Sequence, residues 1–177
     1  MVDEQVQSGQ NALLLAMERL GDGSALAQQI FEMIGHSKFF ADFTREDVER
    51  LVGFMQVYRA NAGQMLIREG DVDDYMLLII QGHVDIVKAD SHGKQQPMTS
   101  VGPGAMLGEM SMIDGEPRFA SCVANEPTTF AVISRDSMVQ IILEEPSLGA
   151  KVLIKLVTVL SQRLRHTSSN LLHYMER

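Results

Sequence analysis

Between Tyr58 and Ser134 the chain is cut into short β-rich runs by turn residues at Gly63, Gly70-Asp71, Gly82, Ser91 to Gly93, Gly102 to Gly104 and Gly115. A break roughly every 6 to 12 residues is the texture of an antiparallel sandwich or roll. The strands read as Met65 to Arg68, Tyr75 to Gln81, His83 to Lys88, Pro97 to Val101, Phe119 to Ala124 and Thr128 to Ser134, so the sheet is expected over 58 to 134. Helical periodicity flanks it on both sides. Ala12 to Leu20 reads as a short helix ended by Gly21 and Gly23, and Ser24 to Ile34 as another, with Ser24 as N-cap and Gly35 as stop. Thr44 with Asp47 is a variant capping box ahead of an apolar face formed by Val48, Leu51, Val52 and Met55. Asp136 to Leu143 and Ser147 to about Tyr174 complete the helices. The expected fold is mainly β with flanking helices: an antiparallel, jelly-roll-like β-roll with N-terminal helices, a short helix inserted at Gly108 and a long C-terminal helix. Residues 1–23 read as an N-terminal extension, 24–146 as the roll with its helices, and 147–177 as the long helix.

That last helix carries Leu153, Leu156, Leu160, Leu164, Thr167, Leu171 and Tyr174 at alternating steps of three and four. A seam of this length exceeds what one small domain covers, so a homodimer through the C-terminal helix is expected. Bulk properties remove several function classes. Fifteen Lys and Arg against 23 Asp and Glu leave a formal charge of -8, which repels a phosphate backbone. Cys122 is the single cysteine, so intrachain disulfides and iron–sulfur clusters are excluded and a buried reduced thiol is expected. No apolar run of 18 residues is present and the first residues, with Asp3 and Glu4, lack a basic flank, so the reading is cytoplasmic with no membrane partner. His36, His83, His92, His166 and His173 have no metal-ligand spacing; His83 and His92 read as surface residues.

The stretch from Gly104 to Ser121 carries the chemistry. Gly108 opens a helical turn whose free N–H groups and partial positive charge suit a phosphate. Arg118 follows, with a fork of donors matched to phosphodiester oxygens. Glu109, acceptor-only when ionised, suits a ribose hydroxyl, and Met106, Met110 and Met112 read as core filling.

In order along the chain, Phe39-Phe40-Ala-Asp-Phe43, Ala62 to Asp71, Ile80-Gln-Gly-His-Val84, Val101-Gly-Pro-Gly104 and the Gly104 to Ser121 cassette resemble the cyclic nucleotide-binding domain family of catabolite-activator-type regulators, kinase regulatory subunits and gated channels. The resemblance spans about Phe39 to Arg165. It implies a cyclic mononucleotide ligand and no enzymatic activity, with Gly108, Glu109, Met110, Ser111, Arg118, Phe119 and Ala120 forming the ribose and phosphate site. It extends to Arg163-Leu-Arg-His-Thr-Ser-Ser169, where Thr167 and Ser168 match a base-reading pair. The family's residue after the arginine is small or hydroxylated, and here it is Phe119. The missing threonine leans the ligand towards cyclic AMP over cyclic GMP, while the added bulk keeps open a degenerate interaction module or a cyclic dinucleotide binder. The chain ends at Arg177 with no recognition helix visible, so no direct DNA binding is expected and output passes through a downstream protein or the dimer.

Overall fold

The strand Tyr75–Gln81 is buried on both faces along six consecutive residues, and it sets the layering of the whole molecule. Side chains alternate along a strand. Tyr75, Leu77 and Ile79 enter one apolar cluster with Leu66, Val84, Leu107 and Phe130, whereas Met76, Leu78 and Ile80 enter another with Ile30, Leu51, Ile141 and Val152. The first cluster lies between two sheets and the second between a sheet and the helices.

The computed structural model describes residues 12–34 and 40–175. In chain order these form α1 (Ala12–Leu15), β1 (Glu18–Asp22), a 3-10 turn (Gly23–Leu26), α2 (Ala27–Ile34), α3 (Arg45–Val52), β2 (Gln56–Ala60), β3 (Met65–Ile67), β4 (Tyr75–Gln81), β5 (Val84–Ala89) and β6 (Gln95–Val101). There follow β7 (Met106–Leu107), α4 (Glu109–Asp114), β8 (Ser121–Ala124), β9 (Thr128–Ser134), α5 (Arg135–Glu144) and α6 (Pro146–Met175). One sheet has the order β1-β2-β9-β4-β7 and the other β3-β8-β5-β6, with antiparallel pairing throughout. This is the expected β-roll with its long C-terminal helix. Gly82 makes the tight turn into β5 at φ +90°, where a Cβ would sit 2.5 Å from Thr128 Oγ1.

The N-terminal segment departs from expectation. Only Ala12–Leu15 is helical, and Glu18–Asp22 is an edge strand on β2, bulged between Arg19 and Gly21. Pairing with β2 satisfies backbone groups that a short exposed helix would leave to water, so tertiary context overrides local periodicity. Ser24 is not a cap; Asp22 holds that position and accepts a hydrogen bond from the Ser24 amide at 3.0 Å. At α3 the capping box forms in both directions, Asp47 N to Thr44 Oγ1 at 3.1 Å and Thr44 N to Asp47 Oδ2 at 2.8 Å. Gly35, His36 and Phe39 lie outside the described residues, as do residues 1–11.

The strand expected from Phe119 begins at Ser121 instead. Arg118 N donates to Asp71 O at 2.8 Å and Gly70 N to Arg118 O at 2.9 Å, so this stretch bonds to the turn after β3 rather than to a sheet neighbour.

The seam on α6 also needs correction. Leu156 is 1% exposed and packs inward with Leu148 and Val152, so it belongs to this chain's own core. The outward stripe is Leu153, Val157, Leu160, Leu164, Thr167 and Leu171, with Leu160 half-buried and Leu164 68% exposed. Lys151 pairs with Asp47 at 2.5 Å and Lys155 with Asp42, fixing the first half of α6 to α3 and to the turn that precedes it.

Candidate ligand-binding cleft

Gly108 stands at the N-cap of α4 in the left-handed region, φ +78°. A Cβ there would lie 2.5 Å from Arg118 Nη1 and 2.9 Å from Ile67 Cδ1, so only glycine lets the guanidinium pass under the turn. Arg118 is 3% exposed. Its Nη1 donates to Gly108 O at 2.8 Å and its Nη2 to Tyr75 O at 2.7 Å, tying α4 to the start of β4. Its Nε is buried without a hydrogen-bond partner. The Asp73 carboxylate is 3.5 Å from that nitrogen, and burial pushes the Asp73 carboxyl above its ordinary value against the pull of Arg118.

Glu109 is 1% exposed, which demands a countercharge. That charge comes from Arg163 on α6 and not from Arg118: Arg163 Nη1 pairs with Glu109 Oε1, and Arg163 Nη2 donates to Met106 O at 2.7 Å. The cassette is therefore linked to the long helix through a buried carboxylate. Arg135 clasps the other end of α4, donating to Met112 O at 2.8 Å and Ser111 O at 3.0 Å.

Beside the Arg118 guanidinium and the first turn of α4 lies an open cleft of about 450 Å³, counting the solvent at its mouth. Gly108, Glu109, Met110, Ser111, Arg118, Phe119 and Ala120 all line it, together with Arg163 and an apolar floor that includes Ile67 and Cys122. Cys122 is buried, and burial pushes its thiol up to about 12, so it stays neutral. Met106 and Met112 are core residues as expected, but Met110 is exposed at the cleft instead of filling the core. Thr167 and Ser168 are exposed on α6, and neither lines the cleft in this chain. Thr167 nevertheless follows Arg163 by one helical turn and shares its face.

Arg163, missed as a site residue, was signalled by the same spacing: it precedes Thr167 by four residues in the run already singled out. Asp73 gave no signal, because nothing local marks it as the partner of a residue 45 positions on.

The donor set fits a phosphate monoanion. The buried Arg118 guanidinium and the first turn of α4, whose leading amides have no partner within a helix, lie along one cavity. Fold and site together define a β-roll module in which a glycine-capped helix and a buried arginine border one cleft. A profile of the cyclic nucleotide-binding domain matches residues 58–145. A crystal structure of a cyclic nucleotide-binding domain from Methylobacillus flagellatus KT is 42% identical, superposes with a TM-score of 0.82 and covers 92% of each chain. The catabolite activator protein of Thermus thermophilus superposes with a TM-score of 0.70 at 27% identity, over 76% of this chain and 62% of that one. The CRP-like cAMP-activated global transcriptional regulator of Mycobacterium tuberculosis is 27% identical over 140 residues, 79% of this chain and 61% of its own length. The chain belongs to the cyclic nucleotide-binding domain family and spans about three-fifths of those regulators' length.

Proposed function

We propose that this chain is a non-enzymatic receptor for a cyclic mononucleotide, with cyclic AMP preferred, and that it acts as a homodimeric switch through α6. The observation that carries the reading is the buried Arg118 sharing a cleft with α4 and with the Glu109–Arg163 pair. Arg118 and the amides of α4 hold the cyclic phosphate, and Glu109 accepts a hydrogen bond from the ribose hydroxyl. Glu109 then divides its lone pairs between the sugar and Arg163, so filling the cleft alters the bond that holds α6. Thr167 and Ser168, one turn further along, are placed to read the edge of the base, from this chain or across the dimer. The exposed stripe from Leu153 to Leu171 meets its counterpart in a second copy.

The names of the relatives support cyclic AMP, since the Mycobacterium tuberculosis regulator is described as cAMP-activated. Among the described residues no helix is long and apolar enough to cross a membrane, and we place the protein in the cytoplasm. Output passes to a downstream protein, with no DNA contact by this module. Parallel calorimetric titrations with cyclic AMP, cyclic GMP and cyclic di-GMP test the reading. Micromolar or tighter binding of cyclic AMP, with weaker cyclic GMP and no cyclic di-GMP, is expected. Phe119 at the cleft mouth favours a second reading, a degenerate module in which the pocket takes another ligand or none. Absence of heat with both mononucleotides would establish it over the first.

A further inference from the structure

Phe119 lines the cleft beside Arg118, and its side chain has no hydrogen-bonding group to offer a phosphate or a ribose. Phe119 is 53% exposed although it follows the buried Arg118, so nothing in the core requires it. Lys88 on β5 holds it in place: the Nζ lies 4.0 Å from the ring centroid and donates to Phe119 O at 2.5 Å. Lys88 is itself fixed by Glu69 at 3.0 Å, and Glu69 accepts a second bond from the Ala89 amide at 2.9 Å. Hydrogen bonding from Ala89 and from Lys88 keeps the Glu69 carboxyl below its ordinary value, so the clamp is charged at neutral pH. Phe119 lines the cleft and Lys88 does not, although the Lys88 Nζ sits over the ring.

We infer that Phe119 is a specificity-determining residue, a stacking platform for a purine base, with Lys88 held over its other face. The inference rests on the proposed cyclic mononucleotide reading. A flat ring held by a cation and lining a ligand cleft is built to stack: aromatic rings bind bases by their faces, and a cation–π contact uses one face of the ring only. Stacking engages the face of the base and leaves its edge to Thr167 and Ser168, so the two contacts are compatible. The position is occupied by bulk and not by a hydroxyl because the contact it makes is to the base instead of to the phosphate.

The test compares cyclic AMP with ribose 3′,5′-cyclic phosphate, which lacks a base, on the unsubstituted protein and on F119A, F119L and F119W. Since Phe119 is exposed, these variants keep the fold, which circular dichroism checks. F119A and F119L are expected to weaken cyclic AMP by about ten-fold or more while leaving the base-free probe within about two-fold. F119W is expected to retain cyclic AMP affinity, and because the chain has no tryptophan its fluorescence reports the stacked base directly by quenching. K88M is expected to give a smaller, base-dependent loss. The inference is overturned if F119A binds cyclic AMP as tightly as or more tightly than the parent, which makes the ring an obstruction, or if both ligands weaken equally. Failure of the unsubstituted protein to bind either ligand would overturn the receptor reading as well.

Discussion

Replacing Arg163 with methionine keeps the length and apolar stem of the side chain and removes the charge that compensates Glu109. Glu109 is almost wholly enclosed, its side chain 2% exposed, whereas Arg163 is 44% exposed. Removing one partner of a fully buried pair costs about 3–5 kcal/mol, and an exposed pair is worth about 0–1 kcal/mol. This pair lies between those limits, and with the bond to Met106 O also lost the cost comes to about 2 kcal/mol. For a chain of this size that lowers Tm by about 4–8 °C. The cost arises from stranding a buried carboxylate, so E109Q, which leaves a neutral amide, should recover most of it in the double variant. Thermal and urea unfolding of the four proteins at one fixed concentration gives the coupling, expected above about 1 kcal/mol. Strictly additive effects, or an R163M protein as stable as its parent, would refute the claim that α6 is tied to the cassette through this carboxylate.

R118A should weaken cyclic AMP by about ten-fold or more, since a charge-assisted hydrogen bond is worth about 1.5–3 kcal/mol; calorimetry on protein shown to be folded checks this, and unchanged affinity would remove Arg118 from the site. The pair L160D and L164D should convert a dimer to monomers by light scattering at tens of micromolar (on the order of usual assay conditions), while L156D should instead unfold the chain because that side chain is internal. Asp47 is pushed up by burial, yet the bonds from Lys151 and Thr44 outweigh this and hold its carboxyl below the ordinary value. A depressed carboxylate contributes stability above its unfolded pKa and loses it as pH falls through the folded one. Tm should therefore fall on acidification below about pH 4, and D47N should flatten that limb. Asp73, raised by burial, carries the opposite sign and loses its contribution as pH rises through its folded value.

The roll from β3 to β9 was legible because turn residues mark its corners and because β4 and β9, buried on both faces, read as unbroken apolar runs. β1, β2 and β7 were not. Glu18–Asp22 and Gln56–Ala60 adjoin helical apolar patterns and take strand geometry from pairing with each other, while Met106–Leu107 is too short to show a period. Within the cleft, Gly108, Glu109 and Arg118 could be found from one contiguous motif. The spacing of Arg163 to Thr167 marked its place on the helix, but not the pairing with a buried carboxylate 54 residues earlier, and Leu156 looked like seam because α6 carries apolar residues on both its inward and its exposed face. The detachment of Phe119 from β8 depends on hydrogen bonds to Gly70 and Asp71, which local propensity does not encode.

Hydrogen exchange with and without saturating cyclic AMP tests the central claim most directly, that a cyclic mononucleotide fills the cleft and is felt along α6. Peptides covering residues 105–120 should gain protection from the proposed phosphate and ribose contacts, and peptides covering 161–174 should change with them, because in the proposed complex Glu109 divides its lone pairs between the sugar and Arg163. Unaltered exchange in both segments would contradict the receptor reading, and protection confined to 105–120 would reduce α6 to a strut.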